Sequence, residues 1–112
     1  MTSVDEQLLE QLGRLFEDRR GWKLESQSTP GLLPVWCLRS EGEPVLSVGV
    51  IDGAFSVYLV DRDHEMVLDD LMALAAWMDA NESLFRERST MPRDLFDSLV
   101  DQRIEAQRRA GS

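Results

Sequence analysis
The sequence predicts an α+β domain, an antiparallel meander of four or five strands with one helix before it and two helices after it. Three observations carry this reading. Val45 to Asp61 consists of two apolar runs joined by Asp52-Gly53, and an Asp-Gly pair accepts positive φ at both central positions, as a two-residue hairpin turn requires. Just upstream, Val35 to Arg39 is followed by Ser40-Glu41-Gly42-Glu43-Pro44, a second turn signal. Before and after this region the apolar residues recur every three to four positions instead of every two, which is the helical period.

The N-terminal helix is expected over residues 4–20. Ser3-Val4-Asp5-Glu6 has the form of a capping box, and Val4, Leu8, Leu12, Leu15 and Phe16 make a stripe that Gly21 ends. The sheet spans 22–68. Trp22 to Gln27 alternates as a short edge strand, Ser28-Thr29-Pro30-Gly31 is a loop, and the second strand begins near Leu33-Pro34.

The Asp52-Gly53 turn pairs Val50 with Phe55, Val48 with Val57 and Leu46 with Leu59; the second turn closes a hairpin to Val45, and if Leu38 faces Leu46 across it, Trp36 faces Val48. Both hairpins then send the same apolar set to one face, so two separate signals agree. A short further strand is expected over 64–68. Helices follow over 70–81, with Leu71, Leu74, Ala75 and Met78 on its stripe, and over 92–108, with Pro92 in its first turn and Leu95, Phe96, Leu99, Val100 and Ile104 inward. Residues 82–90 read equally as helix or loop, and Gly111-Ser112 as a frayed end.

At 112 residues with 43% hydrophobic composition, residues 1–112 are read as one domain with an ordinary core. The 21 acidic residues against 12 Lys and Arg give a net charge of −9, which opposes phosphate backbones and anionic lipid, so neither nucleic acid nor membrane is an expected partner. Cys37 is the single cysteine. No intramolecular disulfide can form, no apolar signal core or spanning run is present, and the cytoplasm is the expected location.

Searching for chemistry yields little. Cys37 and His64 would make a nucleophilic pair only if folded into hydrogen-bond reach, and Cys37 sits inside an apolar strand pattern. The acids Asp61, Asp63, Glu65, Asp69 and Asp70 crowd a strand end, yet counting a calcium loop from Asp61 puts Met66 where glycine belongs and Met72 where the bidentate glutamate belongs. No glycine-rich phosphate motif occurs. The sequence therefore assigns no catalytic residue, no metal and no cofactor, and the chain is read as a non-enzyme.

What the register does single out is the sheet face away from the apolar set, made of Val45, Ser47, Gly49, Ile51, Ala54, Ser56, Tyr58 and Val60. It is small in the middle and apolar at the margins, a face that the last helix, a second subunit or another protein can cover. The function this suggests is an interaction or assembly module, such as an adaptor, accessory subunit or chaperone-like domain. It would form a homodimer or hold a protein partner through Val45, Ile51, Tyr58 and Val60. The alternative is a small-molecule-binding domain in which Trp22, Trp36, Phe55, Tyr58 and Trp77 line a pocket.

Overall fold
Five strands, β1 (Trp22–Glu25), β2 (Val35–Ser40), β3 (Glu43–Ile51), β4 (Ala54–Leu59) and β5 (His64–Leu68), form one antiparallel sheet in sequence order. Helix α1 (Val4–Phe16) precedes them and α2 (Leu71–Arg86) and α3 (Arg93–Ala110) follow, with single 3-10 turns at Val60–Arg62 and Arg88–Thr90. This arrangement comes from a computed structural model that describes residues 3–110. The α+β meander with one helix before it and two after it is therefore the fold, and the frayed end expected at Gly111-Ser112 lies outside the described residues.

Turn chemistry sets the register. Asp52 and Gly53 both have positive φ, 48° and 79°, and Ile51 pairs with Ala54, Val50 with Phe55, Val48 with Val57 and Leu46 with Leu59, as the two-residue turn demands. Glu41 and Gly42 repeat the device between β2 and β3, with φ of 52° and 83°. Leu38 meets Leu46 and Trp36 meets Val48 there.

Beyond Leu38 the β2–β3 register shifts, and Arg39 pairs with Pro44 while Val45 is left over. Proline has no N–H to give the ladder, so a bulge beside it disturbs the pairing least. The extra residue breaks the alternation, and the consecutive Val45 and Leu46 both enter the core, Val45 at 1% exposure. Val45 was expected on the opposite face as a contact residue; the bulge removes it from that surface.

The helices cover one face only. Leu38, Leu46, Val48, Phe55, Val57, Leu59, Met66 and Leu68 pack with Leu12 and Phe16 of α1, Leu74, Trp77, Met78 and Phe85 of α2 and Phe96 and Val100 of α3. Of the core anticipated from the sequence, Trp36 and Leu99 are half-buried against this cluster instead of within it. At full burial each of these larger side chains contributes about 1.5–3 kcal/mol of transfer free energy, so this face is where the fold is held.

Helix ends differ from the sequence expectation for local reasons. Ser3 caps α1, its side chain accepting from the Glu6 N–H at 3.2 Å. The helix stops at Phe16 instead of continuing to residue 20, and Arg19 turns inward to donate to Glu82 Oε2 at 2.5 Å and Asp79 Oδ1 at 3.1 Å. Asp70 caps α2 through the Ala73 N–H at 2.7 Å. That helix runs to Arg86 instead of ending near 81, because Glu82, Leu84 and Phe85 continue its buried side, with Phe85 edge-on to Phe96 of α3 at 5.8 Å. Among the described residues no helix is long and apolar enough to cross a membrane.

Candidate functional site
Alternate residues of the same strands build the other face. Lys23, Cys37, Ser47, Tyr58 and Glu65 form one continuous row across all five strands. In the next row Glu25 pairs with Val35, and Gly49 pairs with Ser56, which pairs with Val67. A Cβ at Gly49 would lie 2.8 Å from Val35 Cγ1, so Val35 leans over a position where only a hydrogen fits, and the middle of the face is low.

A hollow of about 330 Å³ results, floored by Ser47, Gly49 and Ser56 and edged by Val35, Ile51, Tyr58 and Glu65. Gln27 and Leu32 reach it from the β1–β2 connection, whose shape is held by the Gln27 amide donating to the Leu33 carbonyl at 2.8 Å. Ile51 is 43% exposed, Val67 53% and Leu32 54%. Ile51 and Leu32 thus edge the concavity, and Val67 stands beside it, paired with Ser56 on the same face. The apolar side of α3, Phe96 and Val100, is spent in the core on the far side, and no α3 residue lines the hollow, so this face is open.

Of the four contact residues expected from the sequence, Ile51 and Tyr58 line the hollow. Val45 does not, for the reason given above, and Val60 has left the sheet in the 3-10 turn, where it is half-buried. The Tyr58 hydroxyl donates to the Asp63 carboxylate, and that bond holds the phenol above its ordinary pKa. Asp63 can accept there because its φ of 46° folds the chain back after the 3-10 turn.

Cys37 lies in the five-residue row, buried. Loss of solvation, together with the negative charge of nearby Glu25, pushes its thiol up to about 11, far from the thiolate a nucleophile needs. His64 begins β5 opposite Leu59, which places it on the helical side of the sheet. Three strand spacings of about 4.8 Å and the thickness of the sheet separate the two, so the fold does not assemble them.

The acids around the β4–β5 connection each have a structural partner or point to solvent. Asp61 receives a two-pronged bond from Arg88, at 2.6 and 3.0 Å, Asp63 takes the Tyr58 hydroxyl, and Asp70 caps α2. Glu65 and Asp69 are exposed. Among the described residues no three His, Cys, Asp or Glu side chains converge as metal ligands would.

A buried carboxylate that the sequence did not single out lies elsewhere. Glu82, 8% exposed, accepts from the Trp22 indole N–H at 2.8 Å, from Arg19 at 2.5 Å and from both the Nε and an Nη of Arg86. Burial alone would raise its pKa, but the hydrogen bonds from Trp22 and Arg86 outweigh it and the group is held below the usual carboxylate range. Its lone pairs are occupied, so it is a clamp joining the end of α1, the start of β1 and α2. The spacing of Glu82 and Arg86 on one helix was the available signal, but residues 82–90 did not declare themselves helical.

The five aromatic residues considered for a pocket are divided by the sheet. Trp22, Phe55 and Trp77 are in the core and Trp36 packs beside it against Phe16, ring centres 5.8 Å apart, leaving Tyr58 alone on the hollow. No family model, no curated protein and no solved structure matches this chain.

Proposed function
We propose that this protein is a non-enzymatic interaction or assembly module that holds another polypeptide chain on its open sheet face, with Ile51 and Tyr58 as contacts. The observation that carries this is that exposed Ile51 and Leu32 edge a low, small-residue floor, with exposed Val67 next to Ser56 on the same face. Isolated exposed apolar side chains are ordinary, whereas a contiguous set bordering a concavity loses unfavourable water contact when covered. The protonated, buried thiol of Cys37 and its separation from His64 support a binding role over a catalytic one, and a lone reduced cysteine suits a cytoplasmic protein.

The experiment is light scattering over a range of concentrations on wild type, Ile51→Glu and Tyr58→Glu, with circular dichroism as the control for folding. A dimer that both substitutions convert to a folded monomer gives the homodimeric form of the proposal. A wild-type monomer points to a different partner chain. Loss of fold in both variants would put the face inside the protein and contradict the proposal.

One observation favours a second reading. The hollow's size falls at the lower end of small-ligand sites, roughly 300–1,000 Å³, which suits a small-molecule-binding domain. Against it, four of the five rings that would line an aromatic pocket face the other way. A single-site small-molecule adduct at Ser47 and Ser56, seen by amide chemical shifts in a fragment titration, would reverse the order of the two.

A further inference from the structure
The open face carries features that bear on what kind of chain sits on it, and we infer that its occupant is an amphipathic helix of a different protein, apolar along one stripe and rich in Lys or Arg beside it. This rests on the reading of the open face as an interaction surface. Backbone groups in the middle of the sheet are already paired within the five-stranded ladder. An extended peptide lying on the face would gain no main-chain hydrogen bonds there; such peptides add at sheet edges. A helix satisfies its own backbone and brings only side chains, and the same sheet is covered that way on its other side by α1 and α2.

Size fits as well. From β2 to β5 the hollow crosses three strand spacings, about 14 Å, which is the length of roughly ten helical residues. The low line of Ser47, Gly49 and Ser56 admits large apolar side chains between Val35 and Val67, which flank Gly49 and Ser56 in one row of the sheet.

Charge chooses the class of partner. On this face Glu25 and Arg39 neutralise each other through a two-pronged pair at 2.8 and 3.0 Å. Lys23 at the β1 edge then stands against Glu65 on the hollow, Asp63 behind Tyr58 and Asp52 beyond Ile51. The rim is net negative on a chain of net charge −9. A second copy would bring the same acidic rim and the same net charge, which opposes self-association, whereas basic residues beside an apolar stripe complement both parts of the surface.

The test is an amide chemical-shift titration of the full chain with three synthetic peptides about five helical turns long. One has a leucine stripe with lysines elsewhere, one has the same stripe with glutamates, and one has the lysine composition scrambled so that no stripe forms. The lysine helix is expected to move Ser47, Ile51, Ser56 and Tyr58, to bind roughly tenfold or more tightly than either control at low salt, and to weaken with Glu65→Lys and with added salt. Shifts confined to the acidic side of α3, at Asp94, Asp97 and Asp101, would show charge-driven association away from the hollow and overturn the inference. Equal binding of the glutamate helix at the hollow would keep the open face as a docking surface and overturn the basic partner. A wild-type dimer that Ile51→Glu converts to monomer would make the occupant a second copy, and no binding of any helix at the hollow would overturn the inference outright.

Discussion
The two faces of the sheet are made by alternate residues of the same strands and differ in what their side chains are sized to do. On the helical face Leu46, Val48, Phe55, Val57 and Leu59 are buried to within 1%, bulky and branched, and they fill volume between the strands and three helices. On the open face their immediate neighbours are Ser47, Gly49, Ser56 and Tyr58, which leave volume empty. One strand pair thus specifies a core and a concavity at once, and the difference teaches that stability and binding should respond to substitution on opposite parities of the same sequence.

The largest effect should come from the helical face. Phe55→Ala should destabilise by about 3–5 kcal/mol and Val48→Ala by about 1–3 kcal/mol in urea denaturation. Ser56→Ala, one residue from Phe55, should stay within about 0.5 kcal/mol. A large loss at Ser56 would blur the division between the faces.

Next in size is the Glu82 clamp. Glu82→Gln keeps the shape but removes the charge that Arg19 and Arg86 share, and because both guanidiniums reach solvent at about a quarter of their surface, the cost should be only about 1–3 kcal/mol. The sign with pH follows from the depressed folded pKa. The clamp's contribution is full above the unfolded carboxyl value of about 4.3 and is lost as pH falls through the folded value, so wild type and variant should converge in acid. A difference that widened on acidification would contradict the assignment.

Much of this division was legible in the sequence because turn chemistry and period-two alternation are local. Asp52-Gly53 set the β3–β4 hairpin, and Val48–Val57 followed from it, whereas Glu41-Gly42 placed the second hairpin but Leu38–Leu46 also needs the bulge after Leu38. The failure at Val45 has the same origin as the success. Alternation assigns a face only while pairing is uninterrupted, and Pro44 was the visible sign of a bulge. Val60 was misplaced because the chain leaves the sheet one residue earlier, in a 3-10 turn that no local motif announces. Long-range pairings were out of reach: Arg19 and Trp22 lie 63 and 60 residues before Glu82, and nothing in their own neighbourhoods pairs them with it. The hollow itself depends on Val35 leaning over Gly49 and on Leu32 from a distant loop, so its residues were readable but its shape was not.

Smaller effects sharpen the open face. Gly49→Ala should cost on the order of 1 kcal/mol, since Val35 must move to admit a Cβ 2.8 Å away. Cys37 should react with an aromatic disulfide at mildly alkaline pH only when the protein is unfolded, because its thiol is buried and pushed up to about 11. Rapid labelling of the native protein would show the row it belongs to more accessible than described.

The most direct test compares closely similar β-branched-to-threonine changes on the two faces by equilibrium urea denaturation of two double variants. Val48→Thr with Val57→Thr alters a cross-strand pair on the helical face, and Ile51→Thr with Val67→Thr alters two exposed apolar side chains of the open face. Threonine keeps the β-branch but puts a hydroxyl where valine has a methyl group, and at Ile51 it also removes a methylene; the hydroxyl costs about 1–3 kcal/mol at each buried site and little at an exposed one. The first variant is expected to lose roughly 2–6 kcal/mol or fail to fold, and the second to unfold within about 1 kcal/mol of wild type. Equal losses in the two would contradict the assignment of the core to one face of the sheet and of open, uncovered surface to the other.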